Sequence, residues 1–163
     1  MEQAVISGIT FKRDEAKITV FGVHDGPGMA YRILGPVAAA KIGVDMIIQS
    51  RSAEGNSDIT FTVAGNEYAR AMLVLNDSVR HEIGTARIIG ITSVSKLSIL
   101  GVGMRSNVGV ASRMFRTLSE QGINILMIST SEIKISVLID EQHIDLALGA
   151  VRKEFQLESI GAS

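Results

Sequence analysis

The sequence predicts an α+β fold built from two similar βαββαβ modules. Residues 17–52 recur in outline as residues 96–133, which reveals an internal repeat of about 75–80 residues. At a shift of 81, residue types coincide between the copies: Gly28 with Gly109, Ala30 with Ala111, Arg32 with Arg113, and Ser50 with Ser131. The apolar periodicity changes from strand to helix in the same order in both copies, so the repeat determines the architecture.

Runs rich in β-branched residues, bounded by turn residues, predict the strands. In the first copy they are Lys17–Val23, Val44–Ser50, Asp58–Ala64 and Thr85–Ser93; in the second they are Lys96–Val102, Asn124–Thr130 and Ile133–Asp140. Apolar residues at helical spacing predict a helix after each glycine: Met29, Ile33, Leu34 and Val37, then Val110, Met114, Phe115 and Leu118. We expect Gly35-Pro36 to kink the first of these helices.

A second helix in each copy is predicted by Tyr68, Met72 and Leu75, matched by Ile144, Leu148 and Val151. Residues 76–84 are expected to connect the first of these helices to the strand Thr85–Ser93. The second copy has no strand of its own at the end, whereas the apolar run Ala4–Phe11 is unassigned. We therefore expect the N-terminal strand to complete the second module. The modules are then 16–93 and 1–15 plus 94–163; the alternative is that the N-terminal run pairs only with its own neighbour.

Composition excludes several classes of function. Hydrophobic residues make up 46% and aromatic residues 4%, with no Trp, so we expect an extensive aliphatic core. The net charge of -1 gives no electrostatic reason to bind nucleic acid. RNA-recognition domains share the βαββαβ order, but they need stacking aromatics, and the two opening strands offer only Phe21 between them. The absence of Cys fits a cytoplasmic protein. No apolar run reaches the ~20 residues that span a membrane, and no signal peptide is recognisable.

Two polar features suggest a binding site rather than a catalytic one. The loop from His24 to Gly28 joins a strand to a helix start, whose free N–H groups suit an anion such as a carboxylate; an ordinary turn is the alternative. Asp45 and Gln49 have the same parity along the second strand, which predicts a shared face; an edge-strand polar face is the alternative. The three histidines lack metal-ligand spacing, and no serine pairs with a histidine, so neither a metal nor catalytic residues are expected.

Four segments together resemble the regulatory region of aspartokinase. They are V-x-D-x-P-G-x-A from Val23 to Ala30, VDMIIQ at 44–49, LGVGM ending at Met104, and NI-x-MISTSEIKISVLI at 124–139. The resemblance covers essentially the whole chain. It implies two ferredoxin-like ACT modules that bind threonine and lysine and inhibit the ATP-dependent phosphorylation of aspartate. It also implies a homodimer formed by side-by-side pairing of ACT modules.

The resemblance assigns two effector sites. The threonine-type site takes residues of the first module, with others from a partner chain's second module: Asp25, Gly28, Ala30, Val44 and Gln49, then Asn124, Ile125 and Ser131. The lysine-type site takes residues of the second module, with one of the first: Met104, Ser106, Val110 and Ala111, then Asp45. The sequence departs from the family at Asn107-Val108, where relatives often have His-Pro or His-Ala.

The kinase domain is absent from the sequence, so ATP and Mg²⁺ are expected only there and no cofactor is expected in this chain. The expected partner is an aspartokinase catalytic domain or large subunit. The chain is then either a separate small subunit starting at Met1 or the C-terminal part of a longer kinase. A stand-alone ACT-type amino-acid sensor acting on another partner is the alternative function.

Overall fold

A computed structural model describes residues 5–52, 54–83, 87–103 and 108–157. In chain order the helices and strands are β1 Val5–His24, α1 Met29–Ala39, β2 Ile47–Arg51, β3 Asn56–Ala64, α2 Tyr68–Ile83, β4 Arg87–Val102, α3 Val108–Glu120, β5 Met127–Thr130, β6 Lys134–Asp140 and α4 Ile144–Phe155. Short 3-10 turns, Gly65–Glu67 and Glu141–His143, lead into α2 and α4.

The chain divides into two compact units. The first module is Asp14–Thr92, and the second module joins Met1–Arg13 to Ser93–Ser163. The first module therefore starts at 14 instead of the predicted 16 and ends at 92 instead of 93. The predicted fold class is confirmed. Each unit has the strands and helices of a ferredoxin-like module, and the N-terminal part of β1 belongs to the second module.

In the first module, β3 lies between β2 and β1 and is antiparallel to both. Ile59, Phe61 and Val63 alternate along β3, so their side chains share one face of the sheet. They pack with apolar side chains of α1 and α2, including Ile33 and Leu75, into one buried cluster. The helical stripes predicted from the sequence are thus the faces that close this core.

In the second module, β6 lies between β4 and β5 and is antiparallel to both. Its core joins Ile9 of β1 to Leu97 of β4, Met114 of α3 and Leu148 of α4. The N-terminal strand thus contributes a fully buried side chain to this core. Among the described residues of both modules, Phe61 is the only aromatic side chain that is buried, so the two cores are aliphatic as expected.

The strands β1 and β4 are longer than predicted. β1 contains both the N-terminal strand and the predicted strand Lys17–Val23, and β4 joins the last strand of one copy to the first of the next. The predicted breaks are therefore wrong. At each junction one residue has a positive φ, 54° at Asp14 and 58° at Ser93. A single left-handed residue, which Asp tolerates well, lets the strand continue past the polar segment.

The helix α2 also continues further than predicted. Its polar residues Asn76 and Ser78 bond to carbonyls one turn back, and Val79 is fully buried in the core of the first module. Burial of Val79 thus keeps this segment helical. α1 runs as one helix through Pro36. None of the helices in residues 5–52, 54–83, 87–103 and 108–157 is long and apolar enough to cross a membrane.

Candidate functional site

The loop after β1 presents the start of α1 to solvent. Gly28 occupies the N-cap position with a φ of 86°, and no side chain caps the helix. That conformation favours glycine because any Cβ would be strained there. Gly28 and Ala30 are both exposed. The Met29 amide, the first of α1, donates to the carbonyl of Gly26 at 3.3 Å. The next amides in the first turn of an α-helix have no intrahelical partner, so this end of α1 can receive a carboxylate.

The hairpin between β2 and β3 is bonded to this loop. The amide of Asp25 donates to the carbonyl of Gly55 at 3.0 Å. The Asp25 carboxylate oxygen Oδ2 lies 2.6 Å from Nε of Arg51, the last residue of β2. Within the hairpin, the amide and the hydroxyl of Ser52 both donate to the carbonyl of Asn56, at 2.8 and 3.1 Å. The loop and the hairpin thus form one polar end of the first module.

Gln49 lies near the same end. Its Nε2 donates to the hydroxyl of Ser57 at 3.3 Å, and Ser57 is buried. Ser57 lies opposite Val23 in β1 and opposite Arg51 in β2. The start of β3 therefore brings Gln49 and the Asp25 loop to one region of the first module.

Asp45 and Val44 lie at the other end of the same strands. The amide of Asp45 donates to the carbonyl of Thr62, whereas Asp25 bonds to Gly55. At about 3.3 Å per residue, these positions are roughly 20 Å apart along the strand. Asp45 and Asp25 therefore do not meet within the first module. Val44 is half-buried and packs against the first-module core.

Asp45 lies just before the regular part of β2. β2 begins at Ile47, and the amides of both Asp45 and Met46 donate to Thr62, one to its carbonyl and one to its hydroxyl. Exposure alternates along this segment: residues 45, 47 and 49 are exposed, and Met46 is buried between them. A shared face for Asp45 and Gln49 therefore stays a prediction.

The second-module residues of the threonine-type assignment fall into two places. Ser131 forms the turn between β5 and β6, where its amide donates to the carbonyl of Lys134 at 2.8 Å. Asn124 and Ile125 precede β5 and line an open cavity of about 420 Å³ beside Phe115 of α3. Ser131 and Asn124 thus lie at opposite ends of β5 and do not form one site within a single module.

The structure describes only part of the lysine-type site. Val110 is 6% exposed and belongs to the second-module core, and Ala111 packs against that core. Met104 and Ser106 lie outside the described residues. In the part of the chain that the structure describes, no group of three or more His, Asp and Glu side chains could hold a metal ion.

Comparison with known proteins assigns the fold to a family. The family model of the ACT domain matches twice, over residues 18–79 and 97–155. The chain belongs to the ACT-domain family. An aspartate kinase of Pseudomonas fluorescens is 53% identical over 159 residues, which are 98% of this chain and 38% of that protein. The ACT-domain chain thus spans well under half the length of the curated relatives it matches.

Solved structures show the same relationship over nearly the whole ACT-domain chain. A chain in the crystal structure of aspartokinase alpha and beta subunits is 51% identical with a TM-score of 0.85, and the match covers 94% of this chain and all of that one. The ligand-free regulatory subunit of aspartate kinase from Thermus thermophilus is 36% identical with a TM-score of 0.85, over 92% and 98% of the two chains. The resemblance to aspartokinase regulatory regions is confirmed.

A cross-strand hydroxyl pair recurs in the two ACT modules, Thr19 with Thr60 at 2.9 Å and Ser98 with Ser136 at 2.7 Å. The modules differ where the strand ends beside the hairpin. In the first, the Gly22 amide donates to Oδ1 of Asp58 at 2.8 Å; in the second, the matching Gly101 amide donates to the carbonyl of Ile133 at 2.9 Å. The ion pair to Arg51 has no counterpart of the same residue types, since Arg51 matches Glu132 at the shift of 81.

Proposed function

We propose that this chain is the part of an aspartokinase that binds an end-product amino acid, threonine or lysine or both, and imposes feedback inhibition on the phosphorylation of aspartate. The observation that carries the proposal is the polar end of the first module, where an uncapped helix start lies beside a carboxylate. An amino acid presents both complementary charges a short distance apart. Its carboxylate suits the amides of α1 and its ammonium suits Asp25.

The protein must also recognise the side chain of the effector. Gln49 carries both an amide donor and a carbonyl acceptor, which fit the hydroxyl of threonine. It is exposed and lies at the Asp25 end of β2. We assign Gly28 and Ala30 to the approach of the effector's backbone groups, and Asn124, Ile125 and Ser131 to a second chain's contribution. Asp45 is retained as the residue that would receive the extra ammonium of lysine.

Catalysis belongs, in this proposal, to a kinase part that the sequence lacks. ATP and Mg²⁺ bind there, and this chain contributes no cofactor site. The kinase part is either a domain of a longer chain or a separate large subunit. The setting is the cytoplasm, with which the absence of cysteine agrees.

Sequential calorimetric titration tests the proposed effectors. We expect threonine to give a saturable isotherm, because its ammonium and carboxylate match the charges of the Asp25 loop. Lysine is then titrated into protein saturated with threonine. A second isotherm supports two effectors, and a flat trace restricts the proposal to threonine. D-threonine, with the same charges in mirror arrangement, is the control and should bind more weakly. Absence of binding by both threonine and lysine would contradict the proposed function.

We also propose that two copies of the chain pair through their edge strands. β2 and β5 each have a single strand neighbour, β3 and β6 respectively. Each exposes a large aliphatic side chain at the equivalent position, Ile47 at 55% and Ile128 at 42%. An exposed edge that carries apolar residues is a template for pairing with another chain.

Sedimentation at micromolar concentration checks the dimer. We expect a dimer for the unaltered chain and a shift toward monomer in the Ile128→Lys variant, because a charge placed in an edge-to-edge contact is desolvated. Leu146→Lys, a change at a 49% exposed aliphatic residue of α4, is the matched control and should leave the dimer intact. A monomer for the unaltered chain, with and without threonine, would rule the pairing out.

A further inference from the structure

The carboxylate of Asp25 already has a cationic partner within the chain. Arg51 Nε lies 2.6 Å from Asp25 Oδ2. The two side chains differ in exposure: that of Asp25 is 20% exposed and that of Arg51 is 72% exposed. The carboxylate is therefore recessed and the guanidinium closes over it from the solvent side. This is the group to which the proposed function assigns the effector's ammonium.

The ion pair joins two segments that are separate along the chain. Asp25 follows the end of β1, and Arg51 ends β2. Ser57 lies between these strands, opposite Val23 on one side and Arg51 on the other. The Arg51 side chain therefore extends past the start of β3 to reach the loop. Together with the bond from the Asp25 amide to Gly55, it holds the loop against the hairpin.

We propose that Arg51 is an internal competitor of the effector: its guanidinium and the effector's ammonium compete for Asp25. Arg51 thereby sets the concentration at which the effector acts. This inference rests on the proposed function, because it concerns the same site. Two cations close to one carboxylate repel each other, and the recess around Asp25 limits the directions from which a second donor can approach. Binding of the ammonium therefore requires Arg51 to swing outward, where its long side chain is readily hydrated.

The Arg51→Gln variant tests the competition. Removing the guanidinium leaves Asp25 available, so we expect threonine to bind about two- to fivefold more tightly at low salt, the range set by a partly exposed ion pair. The difference should shrink at high salt, since added ions screen the same pair. Arg51→Lys keeps the positive charge and is the matched control, with an affinity closer to that of the unaltered chain.

A double-mutant cycle shows whether Arg51 acts through Asp25. In an Asp25→Asn background, Arg51→Gln should leave threonine affinity unchanged, because no carboxylate remains to be released. Weaker threonine binding in Arg51→Gln alone would show that Arg51 contacts the effector's own carboxylate, and would overturn the inference. An equal gain in both backgrounds would also overturn it.

Hydrogen exchange supplies a readout that needs no amino acid. The Asp25 amide, which donates to Gly55, should exchange faster in Arg51→Gln than in Arg51→Lys, because the loop has lost its second attachment. If threonine and lysine both fail to bind the unaltered chain, the proposed function fails, and exchange alone decides whether Arg51 holds the loop. Equal exchange rates in the two variants would overturn that role.

Discussion

Replacing Phe61 with alanine is expected to lower the free energy of unfolding by about 3–5 kcal/mol, the range for a fully buried aromatic side chain. Phe61 has no exposed surface and lies opposite Ile18 in β1 and Ile47 in β2. Its removal leaves a cavity among β-branched side chains, which are stiff and fill space poorly. Chemical denaturation followed by circular dichroism measures the loss.

Phe21→Ala is the matched control for that change. Phe21 is in the neighbouring strand β1 and is only half-buried, with the guanidinium of Arg87 4.9 Å from the centre of its ring. The same deletion should therefore cost clearly less, about 1–2 kcal/mol. Equal losses in the two variants would contradict the placement of Phe61 at the centre of the first-module core.

The Gln49→Ala variant is expected to bind threonine about two- to tenfold more weakly. A hydrogen bond between neutral groups, such as the Gln49 amide and the threonine hydroxyl, contributes about 0.5–1.5 kcal/mol, and about 1.4 kcal/mol corresponds to a tenfold change in affinity. Gln49 is exposed, and Ser57 is the partner that holds its side chain. Loss of the Gln49 side chain should therefore leave the unfolding transition nearly unchanged. Calorimetry with threonine measures the effect.

Two further variants test whether the effect is specific to Gln49. Gln49→Glu keeps the shape but adds a negative charge, so it should weaken binding further if an effector carboxylate lies nearby. Gln142→Ala makes the same deletion at an exposed position of the second module and should have no effect. Unchanged threonine affinity in Gln49→Ala and Gln49→Glu would show that the assignment of Gln49 is wrong.

The number of helices and the order of helices and strands were predictable because the sequence states them twice. Where one copy was ambiguous, the other supplied the pattern, as with Ile33 of α1 and Met114 of α3, which are both fully buried. The limits of the strands were not predictable. Polar residues around Asp14 and Ser93 have the composition of turns, and only the backbone shows that each accommodates a single positive φ without ending the strand.

In the candidate site, too, features set by neighbouring residues were predictable, and features set by residues distant in the sequence were not. The Asp25 loop and Gly28 were identifiable because a glycine before an apolar helix stripe is a local signal. The start of β2 at Ile47 was not predictable, because it depends on how the amides of Asp45 and Met46 bond to Thr62 in the neighbouring strand. Arg51 was missed because its partner is 26 positions away, and no periodicity relates a hairpin residue to a loop across β3.

The division of the second module between the two ends of the chain determines the order in which the modules can fold during synthesis. Residues 14–92 contain every helix and strand of the first module, so that module can form as soon as it has left the ribosome. The N-terminal strand is made earlier, yet it must wait for α4, which ends at Phe155. At about 5–20 residues per second, that delay is roughly 7–30 s. During this time Ile9, fully buried in the finished protein, has no core to enter. A circular permutant with residues 5–13 moved behind α4 would remove the delay and allow each module to be completed in turn.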